Sequence, residues 1–327
     1  MSSDPVSGVL RAVKLTGAVF FNIDATSPWV AETPPGAAVA AIIMPRSQHL
    51  ISYHAVTEGG CWGGLIGAEP IRVAAGDIIV FPHGDPHVMS SAPGMRAQAE
   101  YGIYRRATTG EQELPFSFKM GGGGADSAHL ICGFLGCDVR PFNPLIATLP
   151  PVLHVSGRAG EDSWLSQFFR AAVTESTGGR AGGEAMLARL SELMFAEVVR
   201  RHLESLPSEQ TGWLAGLRDQ FVGRALGLLH ARPAEQWTLD TLGRDAGLSR
   251  SALAERFTAL VGQPPMQYLA QWRMQLAAGR LGEGATVAEA AFDVGYGSEA
   301  AFSRAFKKLV GVPPASWRKQ QAAATNT

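Results

Sequence analysis

A run of special residues recurs in register in the last third of this 327-residue chain. Thr238, Asp245 and Gly247 return as Thr286, Asp293 and Gly295, 48 residues later. Ser249, Leu253, Phe257, Leu260, Gly262, Pro264 and Pro265 return as Ser298, Phe302, Phe306, Leu309, Gly311, Pro313 and Pro314, 49 later. One residue inserted in the turn accounts for the change of spacing. The duplication constrains the fold strongly, because each copy must solve one local problem with the same residues.

Each copy predicts helix, tight turn, helix. Leu239 and Leu242 give the first helix a buried side, as Val287 and Ala291 do in the second copy. Gly247 and Gly295 stand where the chain must leave that helix, a position that favours left-handed dihedrals. Ser249 and Ser298 follow as N-caps, each worth about 1 kcal/mol. Leu253, Phe257 and Leu260 form an i, i+4, i+7 stripe that Phe302, Phe306 and Leu309 repeat, a core-facing pattern. Gly262 and Gly311 end the second helices, and the prolines after them prevent continuation.

The opposite faces are small and polar. Arg250, Ser251, Ala254, Glu255 and Thr258 share one in the first copy; Glu299, Ala300, Ser303, Arg304 and Lys307 share it in the second. One such face alone reads as solvated surface. Two, on the same core and turn, point to paired helix-turn-helix units whose second helices enter a major groove. Charge agrees with this. Residues 212–320 hold 13 Lys/Arg and 9 Asp/Glu, whereas the remainder holds 15 and 20, within a net charge of −1.

The stretch from Leu214 to Arg318 resembles the DNA-binding domain of AraC/XylS-family transcriptional regulators; "AFDVGYGSEAAFSRAFKKLVGVPPASWR" carries the closest likeness. The resemblance implies two units, about 238–262 and 286–311, joined by a long helix over Pro265 to Gly282, with duplex promoter DNA and RNA polymerase as partners. Arg304 is the expected guanine contact, and Lys307 and Lys308 the expected phosphate contacts. Ala254 and Glu255 replace longer polar or basic groups common in that family, which implies weaker readout by the first unit. Arg273 has a family-like position, and a structural ion pair suits it equally.

Before Pro150 the chain is rich in Gly, Pro and short apolar runs. "AAVAAIIM", "HLISYHAV" and "DIIVF" read as strands of a sandwich or barrel. Gly76, Pro82, Gly84 and His87 follow the second cupin motif, with Ser91 in place of its final Asn. The first cupin motif lacks its ligands: Ser52 stands where the Glu belongs, and His49 and His54 have the wrong spacing. A lone His87 falls short of the roughly three protein ligands of a catalytic metal. The region therefore resembles the cupin-type sensor domain of some AraC-family regulators. Ser52, His54 and Val56 share a strand face, so His54 and His87 are candidate pocket residues, or equally core histidines with backbone partners. Whether Cys61, His83, His87 and Cys132 converge on a metal or redox site stays open.

After Pro150-Pro151 the pattern turns helical. Leu187, Leu190, Met194 and Val198 line one face of a helix at 184–205; contact with a second copy and packing on the barrel both suit it. No run is long enough to cross a bilayer. The N-terminus lacks the features of a signal peptide, and three cysteines without framework spacing fit the cytoplasm.

The expected fold is therefore α+β and multidomain. A cupin-like β-barrel (jelly roll) with accessory helices spans 9–206, a linker spans 207–213, and an all-α domain of two helix-turn-helix units spans 214–320. The expected function is a cytoplasmic DNA-binding regulator, an activator by resemblance. It answers a small molecule or redox signal, with no cofactor or metal and with a homodimer allowed. The alternative is a metal-dependent cupin enzyme with a regulatory tail.

Overall fold

The computed structural model describes residues 4–45, 47–106, 116–157, 164–177, 181–207 and 209–325. The backbone gathers into two compact units. One is Leu15–Cys137 with Leu149–Glu204; the other is Met1–Lys14, Asp138–Thr148 and Ser205–Thr327.

The first unit rests on β1 (Thr16–Thr26), β2 (Val30–Thr33), β3 (His49–Leu65), β4 (Ile71–Ala74) and β5 (Ile78–Phe81). It continues with β6 (His87–Ser90), β7 (Phe116–Gly121), β8 (Ser127–Cys137) and β9 (Leu153–Val155). They form a curled sheet in the order β2-β6-β3-β8-β1-β7, with β4 and β5 also on β3 and β9 on β5. Pairing is antiparallel except between β1 and β7. Strand β3 organises the sheet. Its first part pairs with β8 and β5, and its last part with β4 and β6. The change of partners falls beside a register shift between Val56 and Glu58 and at Gly59, whose φ of 67° suits glycine. Phe21, Val56, Phe81, Leu130 and Phe134 belong to one buried cluster inside this sheet.

The helices, in chain order, are α1 (Pro5–Ala12), α2 (Gly36–Ile43), α3 (Gly102–Arg106), α4 (Pro144–Thr148), α5 (Trp164–Thr177) and α6 (Gly183–Ser205). Next come α7 (Trp213–Arg218), α8 (Gln220–Ala231), α9 (Leu239–Ala246) and α10 (Arg250–Val261). The last are α11 (Pro265–Gly282), α12 (Val287–Asp293), α13 (Glu299–Val310) and α14 (Pro314–Thr325).

One expectation for the sheet unit is corrected, and one left open is decided. "AAVAAIIM" is not a strand; it is most of α2. Alanine favours helix, and a short apolar run carries too little periodicity to separate the two states. The stripe on α6 is not free for a second copy: Met194 and Val198 are fully buried. Packing on the sheet takes that face, with the Tyr53 hydroxyl of β3 bonded to Ser191 of α6.

The second unit is helical. Helix α1 begins at Asp4, whose carboxylate accepts from Val6 N and Ser7 N with Pro5 at the first helical position. In the core, Trp213 Nε1 donates to the Tyr268 hydroxyl at 2.7 Å, and that hydroxyl in turn meets His230 Nε2 at 2.6 Å. Met274, Leu281, Ala291, Phe302, Phe306 and Trp317 form the core of the C-terminal half. The long helix occupies Pro265–Gly282, as the sequence implies.

Candidate nucleic-acid interface and barrel cavity

The two helix-turn-helix units are built alike. In the first, Thr238 caps α9 in a capping box, Gly247 turns the chain at φ 91°, and Ser249 caps α10 through Ala252 N. In the second, Thr286 caps α12 in a capping box, Gly295 turns at φ 85°, and Ser298 caps α13 through Ala301 N. Gly262 and Gly311 end the second helices in left-handed geometry. The stripes turn Leu253, Phe257, Phe302 and Phe306 fully inward. The last stripe position differs from expectation. Leu260 is half-buried, and Leu309 is 40% exposed because it lies one turn beyond the packed aromatics.

The outward faces of α10 and α13 carry the expected residues. Arg250, Ser251, Glu255, Glu299, Ala300, Arg304, Lys307 and Lys308 are exposed; Ala254 and Ser303 are half-buried. Arg250 lies 3.6 Å from Asp240, with both side chains open to solvent. Among the described residues, Arg304, Lys307 and Lys308 have no anionic partner. Glu299 in the first turn of α13 and Lys307 and Lys308 in the last complement the helix dipole. Two arginines nearby are committed elsewhere. Arg256 donates to Asp219 at 2.6 and 2.9 Å, the same carboxylate that caps α8. Arg273 donates to the carbonyls of Pro233 and Glu235, each at 2.7 Å, so its partners are backbone and not an ion pair.

The sheet unit holds a cavity of about 140 Å³. Phe21, Tyr104, Phe118, Met120 and Phe134 supply its apolar wall, and His54 adds a polar one. Glu32 also lines it and is held by Arg96 through bonds of 2.9 and 3.1 Å; that guanidinium keeps the carboxyl below its ordinary range. His54 and His87, 33 residues apart in sequence, meet with Nε2 atoms 2.8 Å apart. His87 Nδ1 faces the Asp85 carbonyl at 2.9 Å, and its ring stacks on Phe81 at 3.7 Å. Burial pushes the His87 imidazole down to about 4 and that of His54 well below its usual value.

The four-residue metal site that the sequence leaves open does not form among the described residues. His83 bonds the Leu149 carbonyl at 2.9 Å, away from His87's partners. Among the described residues no group of three or more His, Cys, Asp or Glu is placed to hold a metal ion. Burial pushes the Cys61 thiol up to about 12 and that of Cys132 well above its usual value, which leaves both poor nucleophiles.

A family model described as a cupin matches residues 4–204, and one described as a helix-turn-helix domain matches 242–320. An AraC-like transcription regulator of Streptomyces lividans is 34% identical over 97% of this chain and 98% of its own length. The chain belongs to the AraC-like transcription regulators.

A relative in this family from Streptomyces antibioticus is 33% identical over 97% of this regulator and 98% of its own chain. The solved DNA-binding domain of AdpA in complex with a target DNA is 30% identical and covers 32% of the regulator and 96% of that domain, at a TM-score of 0.30. By the two family models the regulator carries a cupin-type sheet region and a helix-turn-helix region, as its sequence implies. Among its described residues no helix is long and apolar enough to cross a membrane. Sequence reasoning missed Glu32 and Tyr104 at the cavity, and Arg96, which holds Glu32. These lie on a short strand, a five-residue helix and a loop, where no periodic signal exists.

Proposed function

We propose that this regulator reads duplex promoter DNA with α10 and α13 in successive major-groove segments and answers a small effector held in the sheet-unit cavity. The observation that carries the reading is the pair of N-capped second helices. Each turns its aromatic or leucine stripe inward and leaves a small, polar, partly basic face outward. Arg250, Ser251, Ala254 and Glu255 form the first reading face. Glu299, Ala300, Ser303 and Arg304 form the second, with Lys307 and Lys308 on phosphates. Arg304 has the strongest case for guanine, since it is exposed and without an anionic partner among the described residues.

Activation through RNA polymerase, action in the cytoplasm and assembly as a homodimer belong to the same reading. Effector and DNA would be linked by a coupling free energy of about 1–3 kcal/mol. A regulator is favoured over a cupin metalloenzyme because His54 and His87 bond each other and bring no third ligand near them among the described residues.

Sequencing the DNA fragments retained by the purified full chain tests this. Enrichment of a motif with two contacted segments is the expected result. Fragments retained without any shared sequence, or none retained, would remove the reading.

A further inference from the structure

The two buried histidines have a fixed direction of donation, and it leaves one unmet need beside the cavity. A carbonyl oxygen only accepts, so His87 Nδ1 must carry the hydrogen that meets the Asp85 carbonyl. Both rings are neutral at ordinary pH, because burial holds their protonation well below it. A neutral ring carries one hydrogen, so His87 Nε2 is a bare acceptor. His54 Nε2 therefore donates across the 2.8 Å contact. That leaves His54 Nδ1 as a bare lone pair, and it is buried without a hydrogen-bond partner. His54 itself is 9% exposed and forms part of the cavity wall.

An unmet acceptor in a buried site is costly, and a partner that supplies a donor recovers that cost. Most of the remaining wall is aromatic and aliphatic, with Glu32, Thr33, Gln98 and Glu100 as its other polar residues. The volume, about 140 Å³, is close to that of a cavity that accepts one benzene. Glu32, kept ionised by Arg96, and Glu100 also line the space and disfavour an anion.

We propose that the cavity selects a small apolar ring compound carrying a hydroxyl or N–H donor, with a phenol as the simplest case, and that His54 Nδ1 receives the donor. This rests on the reading of the cavity as the effector site, and it names the chemistry of the effector.

Phenol, toluene and benzoate titrated into the full chain separate the outcomes. Phenol and toluene have nearly the same shape, and toluene is the more apolar, so burial alone favours toluene. The expected result is phenol binding about tenfold more tightly than toluene, with benzoate weakest. Toluene binding as well as phenol, or benzoate leading, would overturn the donor rule while leaving the cavity a ligand site. No binding of any of the three at millimolar concentration would retire the effector site and the rule together.

The His54→Phe variant is expected to prefer toluene, and retention of the phenol preference counts against His54. Nitrogen-15 spectra of the wild-type histidines supply a readout that needs no variant. The inference requires His54 with its hydrogen on Nε2 and an Nδ1 signal that shifts with phenol but not with toluene. A hydrogen found on Nδ1 overturns it.

Discussion

The Tyr53 hydroxyl on β3 lies 2.7 Å from Ser191 Oγ on α6, and both residues are fully buried. Ser191 already donates its hydrogen to the Leu187 carbonyl at 3.0 Å. Tyr53 must therefore be the donor to Ser191. The two changes that break this bond are then unequal. Ser191→Ala leaves a buried phenol without an acceptor, a loss of about 1–3 kcal/mol. Tyr53→Phe leaves Ser191 still bonded to Leu187 and costs about 1 kcal/mol. Urea unfolding of the two variants should rank Ser191→Ala as the more damaging, and equal losses would contradict the assigned direction.

Gly247 and Gly295 hold corresponding turn positions, but their surroundings differ. A Cβ on Gly295 would stand 2.2 Å from the Ala234 carbonyl oxygen, whereas the nearest atom to one on Gly247 is 3.6 Å away. Gly247→Ala thus carries only the left-handed backbone penalty, about 1–2 kcal/mol. Gly295→Ala carries that penalty and also forces backbone to move. Thermal melts should show the larger loss for Gly295→Ala. Matching losses would mean that the second turn relaxes without cost.

The parts that were legible in the sequence are those fixed by local chemistry. Thr238, Ser249, Thr286 and Ser298 cap helices where their side chains predict it, and the prolines at 264–265 set the start of α11. What escaped depends on distant partners. Asp4 and Pro5 carry an ordinary helix-start signal, yet nothing local places α1 with the C-terminal helices. His54 and His87 were both singled out, but their mutual bond follows from where β3 and β6 run, which spacing does not encode. On α6 periodicity found the apolar stripe but not its partner, and only Tyr53 and the sheet decide that.

The outward cations of α13 should separate by role. Arg304→Ala is expected to cost about 1–3 kcal/mol in binding and to relax preference at one base pair. Lys307→Ala should weaken all sequences alike and lower the salt slope by about 1. Arg256→Ala is the internal control, because its guanidinium is already bound to Asp219. Gel shifts across a salt series check all three. An Arg304→Ala protein with unchanged preference at every position would remove Arg304 from the reading face.

Stability should fall as the solution becomes mildly acidic, and three buried histidines set the window. Burial pulls His87 down to about 4, His230 down to about 3, and His54 in the same direction. Their unfolded values lie near 6.5. Between these limits the unfolded chain takes up protons that the folded chain refuses. The stabilisation is complete above about pH 6.5 and drains as pH drops toward the folded values, by about 1.4 kcal/mol per pH unit for each group. His230 is the informative one, since its Nε2 meets the Tyr268 hydroxyl at 2.6 Å, and that hydroxyl accepts from Trp213. Protonating that ring would place a charge inside a closed core. Replacing His230 by Gln should flatten the pH dependence by one group's share, whatever it costs at pH 7. Urea midpoints measured from pH 7 to 5 decide it: a slope identical in wild type and variant would show that His230 does not titrate on unfolding.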